Sequence, residues 1–470
     1  MIRKHTFPSN LKLADITPIF KKLDRVYKKN YRPVSILPTI SKVFERILKN
    51  QMEEKVDTFL SPFLCGYRKD FCVEYALVYM IEKWKKALDR GGVAGGVLMD
   101  LSKAFDTINH ELLIAKMEAY GFHKDSLEIM LSYLSGRKQR TKISSEYSSW
   151  TDLLKGVPQG SILGPVLFNI YFNDFFYFIT NSDICNLADD TTPFFCGSDI
   201  DNVIRNLEED IDASIDWFHR NFMKLNDDKC HFLLAGSKEV NNVLRFGDNF
   251  LEESLYEKLL GVTIDKCLKF DIHIRNVCQQ AGRKLSALSR LANMLTLRQR
   301  RVFFQSFIKS QFQYGSLVWM FCGRESLKSI ENIQERALRL SYNDYTTTYD
   351  KLLKQSKFDK VHHGHIKKVA IEMYKVWNSI SPPIIRDLFR KIESNCTRTG
   401  KRFEYPYRKS ELKGKFSLRC FGPVVWNEIL PPELKDIGNI EDFKVELKNW
   451  TPVCTCRLCK DFISGVGYIN

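Results

Sequence analysis

The chain has 470 residues, 44% hydrophobic and 27% charged, with a formal net charge of +15. That composition excludes a disordered or collagen-like polymer, and at roughly 150 residues per domain it predicts about three packed units. The 13 cysteines follow no regular spacing, so a disulfide-stapled secreted module is not expected.

No apolar run follows Met1-Ile2-Arg3-Lys4-His5 to form a secretory signal. The greasiest stretch, Ile162 to Thr180, is broken by Gly164-Pro165 and carries Asn169, Asn173 and Asp174, which are costly inside a bilayer. A soluble intracellular protein is expected. Charge is unevenly placed: residues 1–50 carry +9, residues 51–170 are neutral, residues 171–265 carry −12 and residues 266–470 carry +18. Basic flanks attract phosphates by releasing counterions, and an acidic middle suits Mg²⁺. Solvated surface charge is the alternative reading of the same pattern.

In chain order, Lys42 to Val56 is predicted helical, with Val43, Phe44, Ile47, Leu48 and Met52 as its apolar face. Val97 to Met99, after Gly91-Gly92 and Gly95-Gly96, reads as a short buried strand ending at Asp100. Residues 110–121 form a helix stopped by Gly121. Gln139 to Ile143 and Trp150 to Leu154 are expected to pair as strands. A long buried helix is expected over 161–177, its start blurred by Gly164-Pro165. Asp183 to Phe195 reads as a hairpin with Asp189-Asp190 at its tip.

An acidic amphipathic helix follows over 200–222, then strands at Phe232 to Leu234 and Leu259 to Ile264. This irregular interleaving favours an α+β fold over a doubly wound sheet. Beyond Asp265, Ile274, Val277, Cys278, Ala281, Leu285, Leu288, Ala292 and Leu295 follow a helical period, with Arg283, Lys284 and Arg290 largely off the stripe. A boundary is placed near 270. Ser394 to Ser410, basic and poorly periodic, reads as a linker or a nucleic-acid contact.

A carboxylate at a strand end is held rigidly while its head reaches beyond the sheet. Asp100 beside Asp189 and Asp190 would gather three anions that repel at low dielectric unless cations neutralise them. Mg²⁺ takes one or two protein carboxylates together with substrate phosphates. Two such ions about 4 Å apart activate an attacking 3′-hydroxyl and stabilise a leaving pyrophosphate. An Asp-Asp pair alone is an ordinary solvated turn, so the surrounding segments decide.

Those segments agree. Val97-Leu98-Met99-Asp100-Leu101-Ser102-Lys103-Ala104-Phe105-Asp106 is similar to the first palm motif of reverse transcriptases. Gly156-Val157-Pro158-Gln159-Gly160-Ser161-Ile162-Leu163-Gly164-Pro165 resembles their second, and Leu187-Ala188-Asp189-Asp190 their third, with Leu187 in the usual aromatic position. Ile16-Thr17-Pro18-Ile19-Phe20-Lys21-Lys22, Asn30-Tyr31-Arg32-Pro33-Val34-Ser35 and Gly66-Tyr67-Arg68 resemble the fingers motifs of non-LTR (LINE-type, jockey-like) retrotransposon enzymes. In the last of these, Asp70 and Cys72 stand where a Gly and a Ser or Thr are commoner. Lys224-Leu225-Asn226-Asp227-Asp228-Lys229-Cys230 and Lys258-Leu259-Leu260-Gly261-Val262 resemble the later palm motifs. The likeness covers about residues 11–270.

The resemblance implies a right-hand polymerase: fingers and an antiparallel-sheet palm over 1–270, a helical thumb and post-thumb region over 271–390, and a basic, cysteine-containing region over 391–470. It implies that Asp100, Asp189 and Asp190 hold two Mg²⁺ ions (Mn²⁺ being the alternative), with the Leu101 carbonyl as an extra ligand. Arg32 with Lys21 or Lys22 would grip the triphosphate, since guanidinium binds phosphate bidentately. Phe105 would exclude a 2′-hydroxyl, Gln159 and Gly160 would contact nucleotide and template base, and Lys229 would protonate pyrophosphate.

The helix from residue 274 would follow duplex phosphates without reading sequence. The partners implied are an RNA template, a DNA primer and deoxynucleoside triphosphates, in nucleus or cytoplasm, without a membrane. An N-terminal endonuclease domain is expected to be lacking. A catalytically inactive nucleic-acid-binding remnant is the alternative, and an RNA-directed RNA polymerase is disfavoured by Phe105. Cys454, Cys456 and Cys459 form a C-x-C-x-x-C cluster, but a structural zinc site wants four ligands. Only Cys420 or a histidine from 362–365 could complete it through folding, so reduced cysteines are expected instead.

Overall fold

The computed structural model describes residues 4–237, 241–392, 401–410, 414 and 416–452. Strands β1 (Leu13–Phe20) and β2 (Tyr31–Ile36) pair antiparallel, with Ile19 opposite Arg32. Helix α1 (Thr39–Phe59) follows, but its phase differs from the predicted one. It buries Ser41, Glu45, Leu48, Met52 and Val56, while Val43 and Ile47 are 55% and 40% exposed. A buried carboxylate accounts for the rotation. Glu45 accepts from the Ser41 hydroxyl at 3.1 Å and from the N–H groups of Ile162 and Leu163 at 2.6 and 3.3 Å. Charge-assisted bonds of this kind are the strong ones, so they set the inward face against apolar periodicity.

Helix α2 (Val73–Asp89) precedes strand β3 (Val93–Leu98). Gly95 and Gly96, expected as punctuation ahead of the strand, lie inside it. A Cβ on Gly95 would come within 2.7 Å of Val203 and 2.9 Å of Leu234, and one on Gly96 within 3.1 Å of the Trp84 ring. Glycine there lets helices close on both faces of the sheet. Next come α3 (Ala104–Thr107), α4 (His110–Ala119), α5 (Lys124–Leu134), β4 (Arg137–Ile143), β5 (Glu146–Tyr147) and β6 (Thr151–Leu153). β4 lies parallel to β1 and pairs antiparallel with β6, Gln139 opposite Thr151. The expected pairing of these two segments is thus present, and it completes a five-stranded sheet with β2 and β5.

Helix α6 (Gly164–Phe172) has Pro165 in its first turn and passes into a 3₁₀ turn at Asn173–Tyr177, so the expected long helix is divided. Then follow β7 (Asp183–Leu187), β8 (Asp190–Gly197), α7 (Ile200–Arg220), β9 (His231–Ala235), β10 (Val243–Phe246) and β11 (Asn249–Ser254). The main sheet has the order β10-β11-β9-β3-β8-β7; every pair is antiparallel except β11 with β9. Leu259 to Ile264, expected as one strand, is a hairpin of β12 (Tyr256–Leu259) and β13 (Val262–Asp265). Leu260 and Gly261 turn it with φ of 47° and 85°. Apolar character alone hides such a reversal.

Helix α8 (Asp271–Leu291) buries Ile274, Val277, Ala281, Leu285 and Leu288, most of the predicted stripe, and ends before Leu295. Buried charges on α2 then anchor the C-terminal segment. Glu82 accepts from the N–H groups of Leu418 and Arg419 at 2.8 and 2.9 Å, at the start of helix Leu418–Val424. Lys85 donates to the Phe416 carbonyl at 3.0 Å, and Asp89 accepts from the N–H groups of Lys409 and Ser410 at 3.0 and 2.8 Å. Spacings of three and four put all three on one helix face. Lys409 and Ser410, in the stretch read as a linker or a nucleic-acid contact, are therefore tied to α2. Replacing Glu82 by Ala leaves those N–H groups unpaired, and a loss of about 1–3 kcal/mol is expected, measured as a lower thermal midpoint that Glu82→Gln partly restores. No helix among the described residues is long and apolar enough to cross a membrane.

Candidate active site

The site is assembled at one end of the six-stranded sheet. β3 runs into Met99, whose N–H donates to the Thr191 carbonyl at 2.9 Å, and Asp100 follows at once. β7 and β8 close with Leu187 opposite Asp190, leaving Ala188-Asp189 as a two-residue turn, one residue earlier than the expected Asp189-Asp190 tip, because Asp190 already pairs as the first residue of β8. Asp100 thus emerges beside Asp190-Thr191. The turn sets Ala188 at φ 58°, a left-handed conformation costing a residue with a Cβ about 1 kcal/mol. Asn186, fully buried, compensates by donating to the Ala188 carbonyl at 2.9 Å and the Thr191 hydroxyl at 3.0 Å.

Gly66 supports the turn from behind, since a Cβ there would sit 2.4 Å from the Ala188 nitrogen. Asn169 holds the Gly66 carbonyl at 2.8 Å. Gly66→Ala must displace the turn. The expected result is a cost of about 1–3 kcal/mol in a melting experiment, together with loss of whatever activity the turn carries.

A second loop lines the other side of Asp100. Asn226 donates its N–H to the Asp100 carbonyl at 2.9 Å and its amide to the carboxylate at 3.3 Å, and the Ser102 N–H donates to the Lys224 carbonyl at 2.8 Å. The Lys229 ammonium lies 2.6 Å from Asp100 Oδ2. Leu101, between these contacts, is 6% exposed and bridges to Leu225.

Asp100 is therefore neutralised, whereas Asp189 and Asp190 are not. Desolvation raises the Asp189 carboxyl, as does Asp100; its own backbone N–H, then Lys21 and Arg32, oppose the rise. Asp190 keeps some surface open to the cleft, yet desolvation, then Asp189 and Asp100, push it up to about 6. Lys21, at the end of β1, and Arg32, on β2, thus act across the cleft on the aspartates. Lys22 is exposed and is not among the charges acting on them.

An all-oxygen donor set with uncompensated negative charge fits a hard divalent cation. The three aspartates lie close enough to act on one another's charge without closing on one point. Among the described residues, the group whose ligand atoms all lie within 4.8 Å of one another is elsewhere, at His5, Asp125 and Glu128.

An aromatic group lies beside the carboxylates. Phe105 stacks on Phe168 at 4.8 Å between ring centroids and meets Tyr67 edge-on at 5.8 Å. Desolvation raises the Tyr67 hydroxyl, as do Asp189 and Asp190, so Tyr67 stands near the carboxylates. Gln159 donates its amide to Asp106 at 2.9 Å, and its carbonyl accepts from the Ser35 N–H at 2.8 Å. Gly160 has φ 119°, and a Cβ there would lie 2.8 Å from the Ser35 carbonyl oxygen. This loop is therefore seated on the strand that carries Arg32.

The structure brings together Asp100, Asp189, Asp190, Lys229, Lys21, Arg32, Phe105, Gln159 and Gly160. Sequence reasoning assigned no role to Tyr67, Asn186, Asp106 or Asn226, which build the same site. The only signal for Asn186 was a polar residue inside the apolar run Ile184 to Ala188. Cys454, Cys456 and Cys459 lie outside the described residues. Of the suggested fourth zinc ligands, Cys420 and His365 are buried, and His365 is hydrogen-bonded to the Phe312 carbonyl at 2.8 Å.

Comparison with known proteins gives the family. The "Probable RNA-directed DNA polymerase from transposon BS" of Drosophila melanogaster is 26% identical over 72% of this chain and 39% of its own length. The "RNA-directed DNA polymerase from mobile element jockey" of the same organism is 26% identical over 66% of this chain and 35% of its own. The "Probable RNA-directed DNA polymerase from transposon X-element", also from D. melanogaster, is 24% identical over 82% and 44%. The matched stretches are thus well under two thirds of these relatives. Residues 19–264, more than half of the chain, match the family model described as reverse transcriptase (RNA-dependent DNA polymerase), and they contain the sheet, the aspartates and both flanking loops. The chain belongs to the reverse transcriptase family.

Proposed function

We propose that this chain is the RNA-directed DNA polymerase of a non-LTR retrotransposon, adding deoxynucleotides to a primer 3′-hydroxyl inside the cell, in nucleus or cytoplasm. The observation that carries the reading is Asp100 emerging beside the Asp189-Asp190 turn, with Lys21 and Arg32 acting on the turn across the cleft. Residues 1–270 would serve as fingers and palm, 271–390 as thumb and post-thumb region, and 391–470 as a basic C-terminal region. Asp100, Asp189 and Asp190 would hold two Mg²⁺ ions, or Mn²⁺ in their place. Such ions sharpen the attacking hydroxyl and neutralise the leaving pyrophosphate.

The protein's own part is positioning and electrostatics. Arg32 and Lys21 hold the triphosphate, with Lys22 as the alternative to its neighbour Lys21. Lys229, placed against Asp100, supplies a proton to the departing pyrophosphate. Phe105, braced by Phe168 and Tyr67, fills the space a ribose 2′-hydroxyl needs. Gln159, oriented by Asp106, and Gly160, pressed on Ser35, set the nucleotide against the template base. The Leu101 carbonyl adds an oxygen beside Asp100.

The test is extension of a DNA primer on an RNA template by the purified chain with deoxynucleotides and Mg²⁺, with chelation as the control. Extension that stops on chelation is expected. Tight binding without any extension would identify an inactive remnant instead.

A further inference from the structure

At the end of the sheet opposite the aspartates, α2, the start of β3 and the end of β8 enclose a hollow of about 590 Å³. Asp190 and Gly197 bound β8, so the hollow lies about 24 Å from the catalytic end at ~3.4 Å per residue. Lys83, Lys86 and Arg90 line it. Lys83 is committed, holding both Asp183 oxygens at 2.7 and 2.6 Å. Lys86 and Arg90 are exposed and make no ion pair among the described residues.

Arg419, brought alongside when Glu82 anchors its backbone, has a buried Nε with no hydrogen-bond partner. The cations repel one another: burial, then Arg90, Arg419 and Lys83, pull the Lys86 ammonium below its usual range. Nor are these side chains needed to cap α2. The N–H groups of Arg90, Gly91 and Gly92 already satisfy the Ala87 and Leu88 carbonyls at 3.0 to 3.1 Å. Of the other nearby anions, Asp199 is engaged by Ser198 and the Asn202 N–H, Glu209 by the Asn181 amide, and Asp210 by the N–H groups of Asn181 and Ser182.

Lys86 and Arg90, cations with no ion-pair partner among the described residues, in a hollow this size, match closely spaced phosphates. Phe195 forms part of the wall. We propose that this hollow binds the phosphate backbone of RNA, holding template strand that extends beyond the catalytic cleft. The choice of RNA rests on the function proposed above; the phosphate chemistry does not.

The test is binding of a 60-nucleotide RNA across a salt series, comparing the full chain with Lys86→Glu/Arg90→Glu and the milder Lys86→Gln/Arg90→Gln. Both positions are exposed, and thermal melting checks the fold. Losing two phosphate contacts should lower the slope of log affinity against log salt by about 1.4. Affinity at 0.1 M salt should fall about tenfold, while extension of a primer–template of about ten nucleotides is unchanged. Because binding is read directly, an inactive polymerase leaves this test intact. Unchanged slope and affinity in both variants overturn the proposal. So does loss of tripolyphosphate binding with RNA binding intact, which would make the occupant a small polyphosphate.

Discussion

Asp189→Asn is expected to abolish primer extension, with a loss on the order of 10³ or more, since a metal-held charge contributes several kcal/mol to such a transition state. The same change should leave the protein as stable as before, or more so, in chelator. Asp189 is desolvated and faces Asp100 and Asp190, and a neutral amide of the same shape removes that repulsion. Loss of activity with a preserved or raised melting temperature separates a working carboxylate from a structural one. An Asp189→Asn protein that extends primers at the original rate would show that the metal site has been placed wrongly.

Phe105→Ala should admit ribonucleotides. The ring is fixed from two sides, stacked on Phe168 and edge-on to Tyr67, so it cannot swing aside to accept a 2′-hydroxyl. Removing it should lower the preference for deoxynucleotides on the order of 10²-fold, in line with what a shaped apolar pocket discriminates. Competition between the two nucleotide types on one template measures it, and Phe105→Leu should retain most of the preference. A folded Phe105→Ala protein with unchanged sugar preference would reduce Phe105 to a packing residue.

These two positions also show what can be read from a linear chain. Asp100 after an apolar run, and Asp189-Asp190 between two strand-forming segments, are legible because strand ends and tight turns are encoded locally. So is the α8 stripe, whose period of 3.6 needs no partner to be recognised. Gly95 and Gly96 misled because their meaning lies in Val203, Leu234 and Trp84, side chains far away in sequence. Glu45 rotated α1 for the same reason: its partners are the amides of Ile162 and Leu163. Tyr67 and Asn226 became site residues only once their loops closed on the hairpin and on Asp100.

The helix over 200–220, the α8 stripe, the strand leading into Asp100, the existence of the hairpin that carries Asp189 and Asp190, and the likeness to reverse transcriptases follow from short-range pattern alone, because backbone geometry limits how a few neighbouring residues can be arranged. Which faces are buried, which charges are neutralised and which cations stay unpaired emerge on folding. Burial and Coulomb energies depend on distances in space, and segments a hundred or more residues apart set those distances.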